Sequence, residues 1–374
     1  MGAGNIVIHD QQRQRYRCKT CRRTFSQRRG TMFEGLRKPR ELIVIVVTLL
    51  SYGCPIQAIV HAFGLDERTV ASWRDRAGVH CEQVHQALVE TGKLDLLHVQ
   101  ADEIRVKGRK IIAWMGLAMM VSTRLWVAGS VRASRDKQLA DALLHQVRRT
   151  AQRLRPLLVL TDGWAAYPGS IRRAFREKVK ATTGRGRACL RAWPDLHIGT
   201  VIKRTEKKRV VEITRKMAHG VLERAEQLLA HSRGGEVLNT AFIERLNGTF
   251  RERLASLTRK SRHAASRLQA LHTGMYLIGC TYNFCLAHQE LSKEKHWGKA
   301  CTPAMASGLT DHVWSLGELL CYKVAPSPWV EPKRRGRPPK QTKPHVTPTK
   351  GQSRPSGSRP LLRLRKGVLC STTG

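Results

Sequence analysis

The sequence predicts an α/β fold: a mixed sheet flanked by helices, with a small helical domain ahead of it and a disordered basic tail behind. Three observations predict it. Strand-length apolar runs recur between residues 96 and 163, an amphipathic helical stretch precedes the last of them, and a helix–glycine–helix pattern comes before them all.

Composition limits the partners. Lys and Arg number 67 against 28 Asp and Glu, a formal net charge of +39 in a chain that is 41% hydrophobic. Such an excess attracts polyanions, and with a core of this size it points to nucleic acid. The longest apolar run, LIVIVVTLL at 42–50, is about half of what a membrane crossing needs, so a buried helix or strand is expected and no membrane partner. The first residues lack the charged-then-apolar order of a secretory signal. Ten scattered cysteines fit a reducing cytosol.

The front of the chain divides in two. Residues 1–35 read as a partial zinc ribbon or basic arm, because Cys18 and Cys21 in RYRCKTCRRTFS have the two-residue gap that lets both thiolates reach one Zn²⁺. A ribbon needs a second pair, and residues 1–17 contain no cysteine, so zinc stays an open assignment. Residues 36–80 read as a helix-turn-helix. Ile56, Ile59, Val60 and Phe63 share a helical face, Gly64 ends that helix, and Asp66 caps a second one that turns Val70 and Trp73 inward. The second helix would present Glu67, Arg68, Ser72, Arg74 and Arg76 to a DNA major groove, the plainer alternative being an ordinary helical hairpin.

Residues 81–290 form the expected platform. LLHVQADEIRV, IIAWMGLAMMV and LWVAGSVRA are strands, with VSTR turning the second into the third. DKQLADALLHQVRRTAQRL is a helix with Leu139, Leu143, Leu144 and Val147 on one stripe, and the wholly apolar LLVLTDG suits a strand covered on both faces. Three strands, a helix and a buried strand follow the ribonuclease-H-like order, which would bring Asp162 close to Asp102. Residues 184–235 read as an insertion carrying a basic hairpin, where Lys203 and Arg204 could track phosphates or simply be solvated.

A third acid completes the pattern. In NTAFIERLNGTFRERL, Ile243, Leu246, Phe250, Leu254 and Leu257 share a packing stripe, while Glu244, Asn247, Gly248 and Arg251 lie on the adjacent face. Two strand-end aspartates and a helical glutamate suit two Mg²⁺ or Mn²⁺ ions, which take hard oxygen ligands and act on phosphodiesters. Asp102 is preferred to Glu103 because neighbours on a regular strand point to opposite faces. Residues 291–325 read as a C-terminal extension and 326–374 as a disordered basic tail. Its KRRGRPPK segment, with Arg335 and Arg337 around a glycine, looks like an AT-hook for a narrow minor groove, or a basic linker.

These blocks, in this order, resemble the DDE transposases of bacterial insertion sequences, most closely the insertion-sequence-one type. The likeness runs from about residue 15 to 310 and rests on RYRCKTCRRTFS, the helix-turn-helix, Asp102-Glu103, TDGWAAY at 161–167 and IERLNGTFRERL from 243. It implies a ribonuclease-H-like catalytic domain with divalent metal at Asp102, Asp162 and Glu244. Asn247 and Arg251 would support Glu244 and hold DNA. The implied chemistry is cleavage at element ends followed by attack of the freed 3′-hydroxyl on target DNA. A homodimer or larger assembly and a bacterial cytoplasmic, nucleoid-associated location are implied as well. The missing cysteine pair departs from the pattern. It keeps a DNA-binding repressor or catalytically impaired copy as the alternative, and a junction-resolvase-like nuclease as a third reading.

Overall fold

The computed structural model describes residues 3–108, 111–180, 188–207, 209–257, 267–296 and 298–325; the tail, with Arg335 and Arg337, lies outside the described residues. A three-stranded antiparallel sheet comes first: β1 (Ile6–Asp10), β2 (Arg15–Cys18) and β3 (Thr24–Ser26). Tyr16 stacks on Phe25 across it, with ring centroids 5.8 Å apart.

Three helices follow, α1 (Arg40–Ser51), α2 (Ile56–Phe63) and α3 (Glu67–Leu88). The apolar run at 42–50 is helical because Ile43, Val46, Val47 and Leu50 fall on one buried side. Gly64 ends α2 with φ 59°, a left-handed conformation that glycine adopts without steric cost. Asp66 caps α3 by accepting from the Thr69 N–H at 3.1 Å, and Val70 and Trp73 are buried, as their spacing predicts. Helix α3 does not stop at residue 80. It continues to Leu88 and packs along α8 (Leu268–Cys280), so the boundary expected after residue 80 falls inside one helix, and Met1–Ser327 forms one compact unit.

The central sheet has six strands in the order β11-β10-β7-β4-β5-β6. They are β4 (Leu97–Lys107), β5 (Ile112–Met120), β6 (Leu125–Arg132), β7 (Leu157–Asp162), β10 (Leu196–Glu206) and β11 (Arg209–His219). β7 runs parallel to both β4 and β10, while β5, β6 and β11 are antiparallel to their neighbours. Between these strands lie α4 (Lys137–Thr150), α5 (Ala166–Ala174) and the small hairpin β8 (Arg176–Val179) and β9 (Cys189–Ala192). After the sheet come α6 (Leu222–His231), α7 (Ala241–Arg253), α8, α9 (Gln289–His296), α10 (Pro303–Ala306) and α11 (Leu316–Cys321).

Both faces are covered. Gly116 of β5 lies against Leu139 and Leu143 of α4, whereas Gly129 of β6, opposite Leu117, lies against Met275 of α8. Since Gly116 and Leu117 point to opposite faces, α4 and α8 cover opposite sides. α5 packs on α4. On the other side, Leu158 and Leu160 of β7 cluster with Ala225, Leu228 and Leu229 of α6, and α7 crosses β4 and β5. No helix among the described residues is long and apolar enough to cross a membrane.

One expectation is corrected here. Residues 184–235 are not simply an insertion, because the first half of β10 is a core strand. Leu196 to Val201 pair with β7, and Leu196, Ile198 and Val201 are buried. Only the part of the hairpin beyond them is a solvated arm. The basic stretch just before β10 hid its short apolar alternation.

Gly78 marks the close approach of α3 to α8: a methyl group there would overlap the Thr273 carbonyl. Gly78→Ala should lower stability by about 1–3 kcal/mol through overpacking. Gly64→Ala, with open space around it, should cost only ~1 kcal/mol in left-handed strain. Urea midpoints measured at equal slope report both values; a neutral Gly78→Ala would contradict the α3–α8 packing.

Candidate active site

Strand pairing sets the site. Ala101 lies beside Thr161 in the parallel ladder, so the next residues, Asp102 and Asp162, stand side by side at the carboxyl end of β7. Gln100, two residues earlier on the same face, accepts from the backbone N–H groups of Phe242 and Ile243 at 3.1 Å each, tying the start of α7 to β4. That contact carries Asn247 to Asp102.

The carboxylates are held closely. Asp102 accepts from the Glu103 backbone N–H and from Asn247 Nδ2, both at 2.8 Å. Asp162 accepts from the Trp164 backbone N–H at 3.0 Å, within the turn that leads into α5. Glu103 points to the α4–α5 face, where Tyr167 Oη donates to it at 2.8 Å and Arg135 forms an ion pair with it. Even so, one ligand oxygen from each of Asp102, Glu103 and Asp162 lies within 4.8 Å of the others. The strand alternation that disfavoured Glu103 holds for its direction, but its longer side chain still reaches Asp162.

Glu244 stands apart from that group. Its Oε1 is paired with Lys203 and accepts from Thr240 Oγ1 at 2.7 Å, with its side chain 46% exposed. It lies one turn before Asn247 on α7, and its charge is felt at Asp102. The structure thus joins Asp102 to Asp162 directly and brings Glu244 to the same end of the sheet without joining the cluster.

Burial makes these acids reluctant anions. The Asp102 carboxyl is pushed up to about 6, chiefly by desolvation, with Asp162 and Glu244 adding repulsion and the Glu103 N–H opposing it. Burial, then the Asp162 charge, pushes Glu103 up to about 7, while Tyr167 and Arg135 pull it down. Asp102 and Asp162 side by side, with Glu244 at the same end of the sheet, offer hard oxygen donors of the kind Mg²⁺ and Mn²⁺ take. Asn247 Oδ1 is buried without a protein partner, a further oxygen available to a hydrated cation. The residues present fit a divalent metal.

The expected DNA contacts divide. Arg68, Ser72 and Arg76 lie exposed on α3 along a groove of about 1050 Å³ that none of the clustered acids lines. Arg76 also reaches the Glu34 carbonyl oxygen, and Arg74 folds back onto Asp75 at 2.8 Å. Arg204 pairs with Glu206 at 2.9 Å, and Arg251 eases the charge on Asp102. Cys18 ends β2 and Cys21 lies in the turn before β3. Among the described residues, no third His, Cys, Asp or Glu joins them within ligand range. Burial among the acids raises the Tyr167 hydroxyl. Tyr167, Trp164 and Arg135 are parts of the site that the sequence did not single out. Only the TDGWAAY run, which carries two of them just after Asp162, held a signal.

No family model and no curated protein matches the chain.

The raised carboxyls carry a pH signature. Between about pH 4 and 7 the folded protein keeps protons that the unfolded chain has released, so stability without metal should fall as pH rises through that window. A divalent ion held by Asp102 displaces its proton, so stabilisation by Mg²⁺ should grow as pH rises through about 6. Thermal unfolding with and without 10 mM Mg²⁺, a concentration on the order of common assay conditions, reads both trends. A metal effect that is flat across pH would contradict the acids as its source.

Proposed function

We propose that this chain is a DNA transposase of the DDE type, which cuts element ends and joins the freed 3′-hydroxyl to target DNA. The observation that carries the reading is the pair Asp102 and Asp162, side by side on adjacent parallel strands in a protein with a net charge of +39. The strand order β6-β5-β4-β7-β10, three antiparallel strands followed by two parallel ones, supports a ribonuclease-H-like sheet. The α2–Gly64–α3 unit supports a helix-turn-helix, with Arg68 and Ser72 exposed for base or phosphate contact.

In this reading Asp102, Asp162 and Glu244 would hold Mg²⁺ or Mn²⁺. Bound there, the metal would polarise the scissile phosphodiester and stabilise the charge on the attacking and leaving oxygens. The chain's own residues preorganise the ligands: Asn247 and the Glu103 N–H fix Asp102, and the Trp164 N–H fixes Asp162. Lys203 binds Glu244 from β10, two residues beyond Val201, the partner of Asp162. Backbone phosphates compete for that lysine, so DNA binding would free Glu244 toward the aspartates. Arg204 on the same arm adds positive charge along the path of the duplex.

The second reading is a DNA-binding repressor or an impaired copy. The pairing of Glu244 with Lys203, outside the acidic cluster, favours it.

A cleavage and strand-transfer assay in Mg²⁺ or Mn²⁺ decides between them. Asp162→Asn and Glu244→Gln should each reduce joined products at least about a thousandfold, roughly 4 kcal/mol of transition-state stabilisation, while DNA binding persists. Cutting without joining would point to a resolvase-like nuclease. Tight, salt-sensitive binding without cleavage in either metal would establish the repressor reading.

A further inference from the structure

A cation that this chemistry does not use stands beside the acids. Arg135 follows β6 and directly precedes Asp136, the cap of α4. Its guanidinium lies 4.7 Å from the ring centre of Trp164 and 5.3 Å from that of Trp114. One terminal nitrogen meets both Glu103 Oε1 and Asp162 Oδ2, the second at 3.1 Å. The other oxygen of Glu103 accepts from Tyr167, and the Glu103 side chain is only 2% exposed. Both oxygens of Glu103 are therefore engaged from the α4–α5 face. Asp102, in contrast, is engaged by Asn247 from the α7 face.

We infer that Arg135 is a positioning residue: a built-in counter-cation that binds Glu103 and Asp162 together and keeps Glu103 out of the metal-binding set. The inference rests on the metal-dependent reading above and settles which acid of the Asp102-Glu103 pair faces the metal. A planar guanidinium held by two aromatic rings has a fixed orientation, and its cation–π contacts resist displacement. A divalent ion bound by all three clustered acids would have to sit against that fixed positive charge. The α7 face, with Asp102, Asn247 and Glu244, is the side on which a cation escapes it. Arg135 also offsets the repulsion between Glu103 and Asp162, so that Asp162 keeps its place beside Asp102.

The test is a Mn²⁺ titration of the full-length protein without DNA, followed by electron paramagnetic resonance of the free ion. Glu103→Gln preserves an acceptor for Tyr167 and should leave Mn²⁺ affinity within about threefold of the parent, below the ~10–100-fold cost of losing a supporting group. Arg135→Ala should tighten binding by about tenfold, Arg135→Ala with Glu103→Gln should reverse that gain, and Arg135→Lys, which keeps the charge, should stay near the parent. Loss of about tenfold or more in Glu103→Gln would make Glu103 a ligand and overturn the inference. So would unchanged affinity in Arg135→Ala. Asp102→Asn serves as the control for the underlying reading. If it binds Mn²⁺ as the parent does, the metal site itself is wrong; if it loses binding together with Glu103→Gln, only the role of Arg135 is wrong. Should Arg135→Ala fail to fold, the Glu103→Gln titration alone decides.

Discussion

The parallel pairing of β4 with β7 is the constraint on which the rest of the site depends. Its register, Ala101 beside Thr161, leaves Asp102 and Asp162 as neighbours on one face. A slip of one residue would turn one aspartate to the opposite face and separate them. The register is secured by burial on both sides, since Val99 and Val159 enter one core while Leu158 and Leu160 enter the other. Two carboxylates so placed repel: unit charges ~4 Å apart interact by about 4 kcal/mol at an effective dielectric near 20. The sheet can keep them there only if positive charge and hydrogen-bond donors surround them.

The surroundings supply both. Backbone N–H groups of Glu103 and Trp164 and the Asn247 amide bind the aspartates, while Arg135 and Lys203 bind the acids on either side. The large cationic excess thus acts at two ranges. Most of it forms a long-range field suited to a polyanion, but two of its members are fixed within bonding distance of the site. Under the proposed function, DNA phosphates would compete with the acids for those near cations. In that reading the balance among acid, lysine, phosphate and metal would be the point of control.

Much of this was legible in the sequence, and the reasons differ by element. β4, β5, β6, α4 and β7 were readable because each is bounded by turn residues and keeps one hydrophobic period throughout. The α7 stripe was readable as well: Ile243, Leu246 and Phe250 are buried as their spacing requires. β10 was readable only as one arm of a hairpin; its place in the central sheet was not, because its apolar half is only a few residues long and sits between two basic stretches. β1 to β3 were missed because they are short and little buried: Ile6, Val7 and Ile8 of β1 follow one another without alternation, and β2 and β3 are only 4 and 3 residues long. Within the site, Asp102 and Asp162 announced themselves as acids following apolar runs, although only Asp162 ends its strand and Asp102 lies in the middle of β4. Arg135 did not, since an arginine in a loop acquires meaning only from the two tryptophans and two acids that folding gathers around it. Glu103 was kept only as the fallback to Asp102 on strand alternation, a rule that governs where a side chain starts and not how far it reaches.

The most direct measurement is anomalous diffraction from crystals of the full-length protein grown with Mn²⁺, with data collected near the manganese edge. The account requires a peak bridged by the carboxylates of Asp102 and Asp162 on the α7 side of the sheet. Density elsewhere, or no peak at saturating Mn²⁺, would contradict it.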